Sequence, residues 1–224
     1  RIASLGYQKG FGGHFHNDNS IAVLRDIPGL VIASPARGDD AAAMLRTCLA
    51  TAAVDGTVCA VIEPIALYHT KDLHVEGDSG WLAPYPAPAE HVPVGSARTY
   101  GDGSDLTILT FGNGLLLSLR AARRLADDGV SCRVVDLRWL APLPVQDMLR
   151  EAEASGRVLV VDETRHCGGV GEGVVTALVE HGFRGPISRV AGADSFVPLG
   201  PAANLVLVNE DEIVAAARDL AHAG

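Results

Sequence analysis

The sequence predicts an open α/β fold, in which short apolar strands alternate with amphipathic helices around a largely parallel sheet covered on both faces. Three observations carry that expectation. Short β-branched and aliphatic runs recur along the chain, and the segments between them space their apolar residues with helical periodicity. Hydrophobic residues make up 48% of the 224 positions and charged residues 20%, with a mean hydropathy of +0.21. That is enough apolar surface for a packed core and too much for a disordered chain. At about 150 residues per domain, the length allows one large domain or two small ones.

Taken in order, Gly10 to Ser20 reads as a loop rich in glycine, histidine and asparagine. Ser20 suits the N-cap of a short helix running to about Arg25, which Pro28-Gly29 ends. Leu30 to Ala33 is expected to be a short strand. Asp39 and Asp40 open an alanine-rich helix to about Ala53, where carboxylates favour the positive helix end. Thr57 to Ile62 is a β-branched run and is expected to be a buried strand. Strand, helix and strand make a βαβ unit, which demands parallel pairing and puts functional loops at the carboxyl ends of the strands.

From Lys71 to about Ala97 the regular pattern stops. Pro84, Pro86, Pro88 and Pro93 each lack a backbone donor and fix φ, so this stretch is expected to be a semi-rigid linker at a domain boundary. Beyond it the alternation is strict. A strand is predicted from Leu106 to Phe111, then a helix from Asn113 to Asp128 with Leu115, Leu116, Leu119, Ala122 and Leu125 on one face. A strand from Cys132 to Leu137, a helix from Val145 to Ala154 and a strand from Arg157 to Val161 follow. A Gly-rich turn, a helix from Val174 to His181, a strand from Ile187 to Val190 and a helix from Asp211 to Ala221 complete the chain.

Eighteen basic against twenty-seven acidic residues give a net charge of −9. With no Lys/Arg cluster beyond Arg123-Arg124, neither a nucleic acid nor an anionic membrane is expected as a partner. No apolar run approaches the ~20 residues of a membrane span. Cys48, Cys59, Cys132 and Cys167 are spaced too irregularly for a C-x-x-C site, which predicts reduced thiols in a cytoplasmic protein.

Several segments invite a chemical reading. Gly168 to Gly173 follows a strand and opens a helix, the setting in which backbone donors cradle phosphate. The dinucleotide fingerprint G-x-G-x-x-G is not met, because its last position falls on Val174; a tight turn with close helix–strand packing is the alternative. Gly101-Asp102-Gly103 matches the start of a magnesium–diphosphate motif, but the Asn that should follow is missing, so a plain turn is expected. His14, His16 and Asp18 could bind a metal from one side of an extended segment. A loop histidine is equally a candidate proton carrier, since imidazoles ordinarily titrate near neutrality, or simply a solvated side chain. His166 and Cys167 adjoin the Gly-rich turn, although adjacent residues seldom form a nucleophile–base pair. Glu63 ends a buried strand and needs a partner or a raised pKa; a structural ion pair is the plainer reading. Asp136 and Arg138 are spaced for a local salt bridge.

Together these stretches resemble a known family. GGHFHNDNSIAVLRDIPGLVIASPARGDDAAAML is similar to the β subunit of the decarboxylating component of 2-oxo acid dehydrogenase complexes. That family reads G-G-x-x-H-S-Q-S, then P-G-L-x-V-x-x-P-S, then an Asp-Ala helix. VIEPIALY resembles its E-x-x-x-L-Y, and GSDLTILTFG, VVDLRWLAPLP and RVLVVDETRHCGGVGEGV resemble its C-terminal domain in order and spacing. Transketolases and deoxyxylulose-phosphate synthases share parts of the pattern.

The resemblance implies a transketolase-like fold: the back half of a pyrimidine-binding domain over residues 1–70, a Pro-rich linker over 71–97 and a transketolase C-terminal domain over 98–224. It implies thiamine diphosphate and magnesium as cofactors, decarboxylation of a 2-oxo acid such as pyruvate or a branched-chain acid, and acyl transfer to a lipoyl arm. The implied partners are an α subunit or a missing N-terminal part, a second copy of the chain, and the lipoyl-bearing acyltransferase. His16 matches the active-site histidine, and Gly12 and Gly13 the turn that presents it; His14, Asn17 and Asp18 complete the loop. Ala52, Ala53, Asp55 and Thr57 align with a structural potassium loop. Glu163 aligns with an acid on the surface used for docking the acyltransferase.

The chain departs from the family where His-Ser-Gln becomes His16-Asn17-Asp18, which touches the lipoyl handover. The glutamate that activates the aminopyrimidine and the diphosphate–magnesium motif are both missing. A start at Arg1, inside a Gly-rich region, is therefore expected to mark a piece of a longer protein, inactive alone and dimeric. A dimerisation and docking module and a nicotinamide-dependent oxidoreductase are the two alternatives.

Overall fold

In the computed structural model the described residues are 1–7 and 16–222. The first third contains β1 (Ile2–Ser4), α1 (Ile21–Arg25), β2 (Val31–Ala33), α2 (Gly38–Asp55) and β3 (Cys59–Pro64). β1 and β2 both pair with β3 in parallel, as a βαβ crossover requires. The predicted strand from Thr57 begins two residues late. Gly56 caps α2 in the left-handed conformation at φ 72°, and the Thr57 N–H turns back to the Thr51 carbonyl at 3.4 Å. These residues finish the helix and leave the sheet to start at Cys59.

Residues 71–97 contain no helix or strand, yet they are fixed in place. Arg46 on α2 donates to the carbonyls of Pro86, Ala87 and Glu90. Arg37 donates to those of Gly80 and Leu82 and lies 5.1 Å from the Trp81 ring centre. Trp81 and Val92 are buried. Proline-rich chain supplies many free carbonyls, and arginines on the neighbouring helix satisfy them.

The second sheet is built from β4 (Arg98–Tyr100), β5 (Leu106–Thr110), β6 (Cys132–Asp136), β8 (Val158–Arg165) and β9 (Ile187–Gly192), in the order β4-β6-β5-β8-β9. All neighbours are parallel except β4 and β6. Helices α3 (Asn113–Asp127) and α6 (Glu210–His222) cover one face, while α4 (Val145–Ser155) and α5 (Val170–Glu180) cover the other. Strand alternation makes both cores: Ile108, Leu159 and Val161 face one, and Leu109, Val158 and Val160 the other. Each such aliphatic side chain contributes roughly 1.5–3 kcal/mol on burial.

The strand β7 (Trp139–Ala141) was not legible in the sequence. It leaves the second sheet after β6 and pairs antiparallel with β2, giving the first sheet the order β1-β3-β2-β7. The switch is made at Arg138, which sits at φ 59° while its backbone N–H is held by Asp136 Oδ1 at 3.1 Å. Trp139, fully buried, then packs among Ala33, Met44, Cys48, Val61 and Val92. Chain that follows residues 71–97 thus completes the sheet that precedes them. The expected Asp136–Arg138 salt bridge is not what forms; the Arg138 guanidinium pairs with Asp40 at 3.0 Å.

Candidate functional site

The parallel strands of the two sheets end near one another, and the segment from His16 to Ser20 lies there. His16 is exposed, and its Nδ1 stands 3.4 Å from the Ala3 carbonyl of β1. A carbonyl only accepts, so in this contact Nδ1 is the donor. Gly12, Gly13 and His14 lie outside the described residues.

Asp18 holds the segment. Its Oδ1 accepts from the Ser20 backbone N–H at 3.1 Å, the Ser20 hydroxyl at 2.7 Å and Arg165 Nη2 at 3.1 Å, and its carbonyl accepts from the Ser4 hydroxyl at 2.6 Å. One oxygen of the carboxylate beside His16 is thereby engaged in a turn and an ion pair, and His14, the third group of the possible metal set, lies outside the described residues. Asn17 and Asn19 are buried rather than presented to solvent. Asn19 Nδ2 donates to the Glu163 carbonyl at 3.0 Å, tying the loop to β8. Sequence reasoning missed Asn19 and Arg165: both lie in stretches that carry the family resemblance, but nothing in their spacing says that they meet this loop.

Glu163 departs from expectation. It is 1% exposed, with Oε1 accepting from the Asn113 backbone N–H at 2.8 Å and Oε2 from the Asn113 amide at 2.7 Å. A carboxyl sealed in this way cannot be a surface docking residue. Burial pushes it up to about 8, against the opposing pull of the Asn113 donors. Its neighbour Asp162 is also raised by burial, while Glu63 is lowered by an ion pair with Arg1 and by a 2.5 Å hydrogen bond from the Tyr68 hydroxyl. The plain ion-pair reading of Glu63 holds.

The Gly-rich turn is a packing device. Helix α5 starts at Val170, four residues earlier than expected, so Gly171 and Gly173 lie inside it. Its first donors are already used: the Val170 N–H meets Thr164 Oγ1 at 3.2 Å and the Gly171 N–H meets Asp162 Oδ2 at 2.5 Å. A carboxylate in that position excludes a nucleotide phosphate. A Cβ at Gly173 would collide with the Arg25 guanidinium.

Gly101-Asp102-Gly103 is irregular chain between β4 and β5, not the expected turn, and its Asp102 and Gly103 carbonyls accept from Arg133. Among the described residues no carboxylate–amide set gathers there for a diphosphate and its magnesium, so these residues do not by themselves fit the thiamine cofactor. Ala52, Ala53 and Asp55 occupy the last turn of α2, with Thr57 just beyond its cap. A helix leaves the carbonyls of its last turn without partners of its own.

Residues 95–213 match the family model described as the C-terminal domain of transketolase. The chain is 30% identical over 227 residues to the pyruvate dehydrogenase E1 component subunit beta of Staphylococcus aureus, covering 98% of this chain and 66% of that protein. It is 29% identical over 216 residues to the same subunit of Staphylococcus epidermidis, covering 93% and 62%. The chain thus spans just under two thirds of the length of the relatives it matches. Among solved structures, a split gene transketolase described as an inactive beta4 tetramer superposes with a TM-score of 0.71 at 21% identity, covering 94% of this chain and 63% of that one. That likeness shows the fold.

Proposed function

This chain belongs to the transketolase C-terminal domain family, and from that premise we propose that it is part of a thiamine-diphosphate-dependent enzyme that decarboxylates a 2-oxo acid, pyruvate or a branched-chain acid, and hands the acyl group to a lipoyl carrier. The observation that carries the proposal is the 30% identity to a pyruvate dehydrogenase E1 β subunit along 98% of the chain. When bound, thiamine diphosphate supplies the carbanion chemistry. Because no diphosphate and magnesium site is gathered among the described residues, that task is assigned to an α subunit or to an N-terminal part of the same protein.

What this chain contributes is a positioned proton carrier. With Nδ1 facing the Ala3 carbonyl, His16 takes up or releases a proton at Nε2 on its exposed side. The Ser4, Asp18, Ser20 and Arg165 contacts fix the backbone that carries it. Ala52, Ala53, Asp55 and Thr57 are assigned to a structural potassium ion, the hard-cation chemistry that backbone carbonyls and a carboxylate suit. The proposal also places the protein in the cytoplasm, in an assembly holding more than one copy of this chain and the lipoyl-bearing acyltransferase.

The test is turnover of the assembled α–β protein with thiamine diphosphate and magnesium, read as 2-oxo acid-dependent reduction of an artificial electron acceptor. His16→Ala is expected to lower the rate by about a hundredfold, the scale of general acid–base catalysis. Unchanged turnover would remove His16 from the chemistry and leave only an assembly role. Absence of 2-oxo acid turnover in the assembled wild-type protein would overturn the reading itself.

A further inference from the structure

His166 and Cys167 directly follow β8, and Asp194 follows its parallel neighbour β9. Their ligand-capable atoms all lie within 4.8 Å of one another, and all three residues are exposed. None of them contributes to a hydrophobic core. The backbone beneath them is tightly stitched: the His166 N–H donates to the Gly192 carbonyl at 2.8 Å, and the Cys167 N–H donates to Asp194 Oδ1 at 2.7 Å. Gly168, at φ +70°, turns the chain away immediately after Cys167. An imidazole, a thiol and a carboxylate are therefore gathered at the carboxyl ends of two adjacent parallel strands, where open α/β folds bind their ligands.

We propose that His166, Cys167 and Asp194 form a mononuclear site for a divalent transition metal of the zinc class. A nitrogen, a sulfur and an oxygen ligand together suit a borderline metal, whereas magnesium and calcium ask for oxygen alone. Three protein ligands are the number found in open zinc sites, with solvent completing the shell. Ligands about 2.0–2.3 Å from a tetrahedral zinc lie roughly 3.5 Å apart. Gathering them from within 4.8 Å takes rotation of exposed side chains on a backbone that stays in place.

Binding converts the Cys167 thiol to a metal-bound thiolate and releases its proton to solvent. The charged groups around that thiol are Asp194 and Glu172, which hold its proton on, and Arg189, which opposes them. Arg189 Nη2 also sits 3.2 Å and 3.3 Å from the two ring nitrogens of His166, so it must turn aside as the metal enters.

The experiment is titration of the full chain with zinc chloride by calorimetry and with cobalt chloride by absorption, neither of which depends on the decarboxylase reading. One metal per chain is expected, with a thiolate-to-cobalt band in the near ultraviolet. Cys167→Ala should abolish the band. His166→Ala and Asp194→Asn should each weaken zinc by more than about tenfold, a loss that even outer-shell partners produce, while Cys132→Ala should change nothing. Zinc should also raise the melting temperature of the wild-type chain and of Cys132→Ala, but not that of Cys167→Ala. A band that survives Cys167→Ala, affinities unmoved by the His166 and Asp194 variants, or no binding at all would each overturn the site. These side chains are exposed, so a misfolded variant is recognised by circular dichroism and the remaining two decide.

Discussion

The Arg165 guanidinium reaches across 147 positions of chain to the Asp18 carboxylate, Nη2 to Oδ1 at 3.1 Å, and its Nη1 meets the Ser20 hydroxyl at 2.5 Å. The last residue of β8 thus holds the loop that carries His16. Both partners are partly exposed, so the ion pair itself is worth no more than about 1 kcal/mol. Arg165→Ala is expected to lower the melting temperature only slightly while reducing turnover of the assembled α–β enzyme several-fold. Turnover falling no further than stability would show that the pair does not position His16.

Gly112 lies at φ +55°, and a Cβ there would overlap Glu163 Oε1 and press on Leu5. Gly29, at φ +77°, has nothing within 4 Å. Gly29→Ala therefore meets backbone strain alone, roughly 1 kcal/mol. Gly112→Ala adds overpacking against a buried carboxyl and is expected to cost about 2–4 kcal/mol. Urea midpoints of the two variants separate these terms, and equal shifts would contradict the close approach.

Burial pushes the Asp136 carboxyl up to about 7, with Asp40 adding to it, and Glu163 up to about 8. Unfolded, such groups titrate at about 4, so between about pH 4 and pH 8 these two carboxyls bind more protons in the folded chain than in the unfolded one. Their stabilising contribution is full at the acid end of that window and is lost as pH rises through the folded values. Asp136→Asn should remove its share of the slope and be more stable than the wild type near pH 8 by about 1–3 kcal/mol. Thermal melts at a series of pH values report it directly; a parallel pair of curves would refute the assignment.

Trp139 is fully buried in the cluster that β7 brings to the first sheet. Trp139→Ala is expected to cost about 3–5 kcal/mol, and Trp139→Phe clearly less. Because β7 joins the two sheets, the loss should appear as one cooperative transition. Two separate transitions in the wild-type chain would show that the sheets unfold independently.

Much of this was legible in the chain itself. The α3 stripe of Leu115, Leu116 and Leu125 and the apolar cores of β5 and β8 are local signals, and they fall where periodicity places them. β1, β4 and β7 are three residues each and lack the Pro-Gly turn that marks the start of the equally short β2. The start of α5 was misplaced because Gly171 and Gly173 read as turn residues, whereas the demand they answer is space for Asp162, Arg189 and Arg25.

At the candidate site the division is sharper. The α/β class, the helix faces and the resemblance that singles out His16 are written in neighbouring residues and survive any arrangement of the elements. Whether Glu163 is exposed or sealed, which arginine holds Asp18, and that His166 and Cys167 meet Asp194 were decided only by tertiary structure. Each depends on strands distant in sequence lying side by side, and neither composition nor spacing records which strands become neighbours.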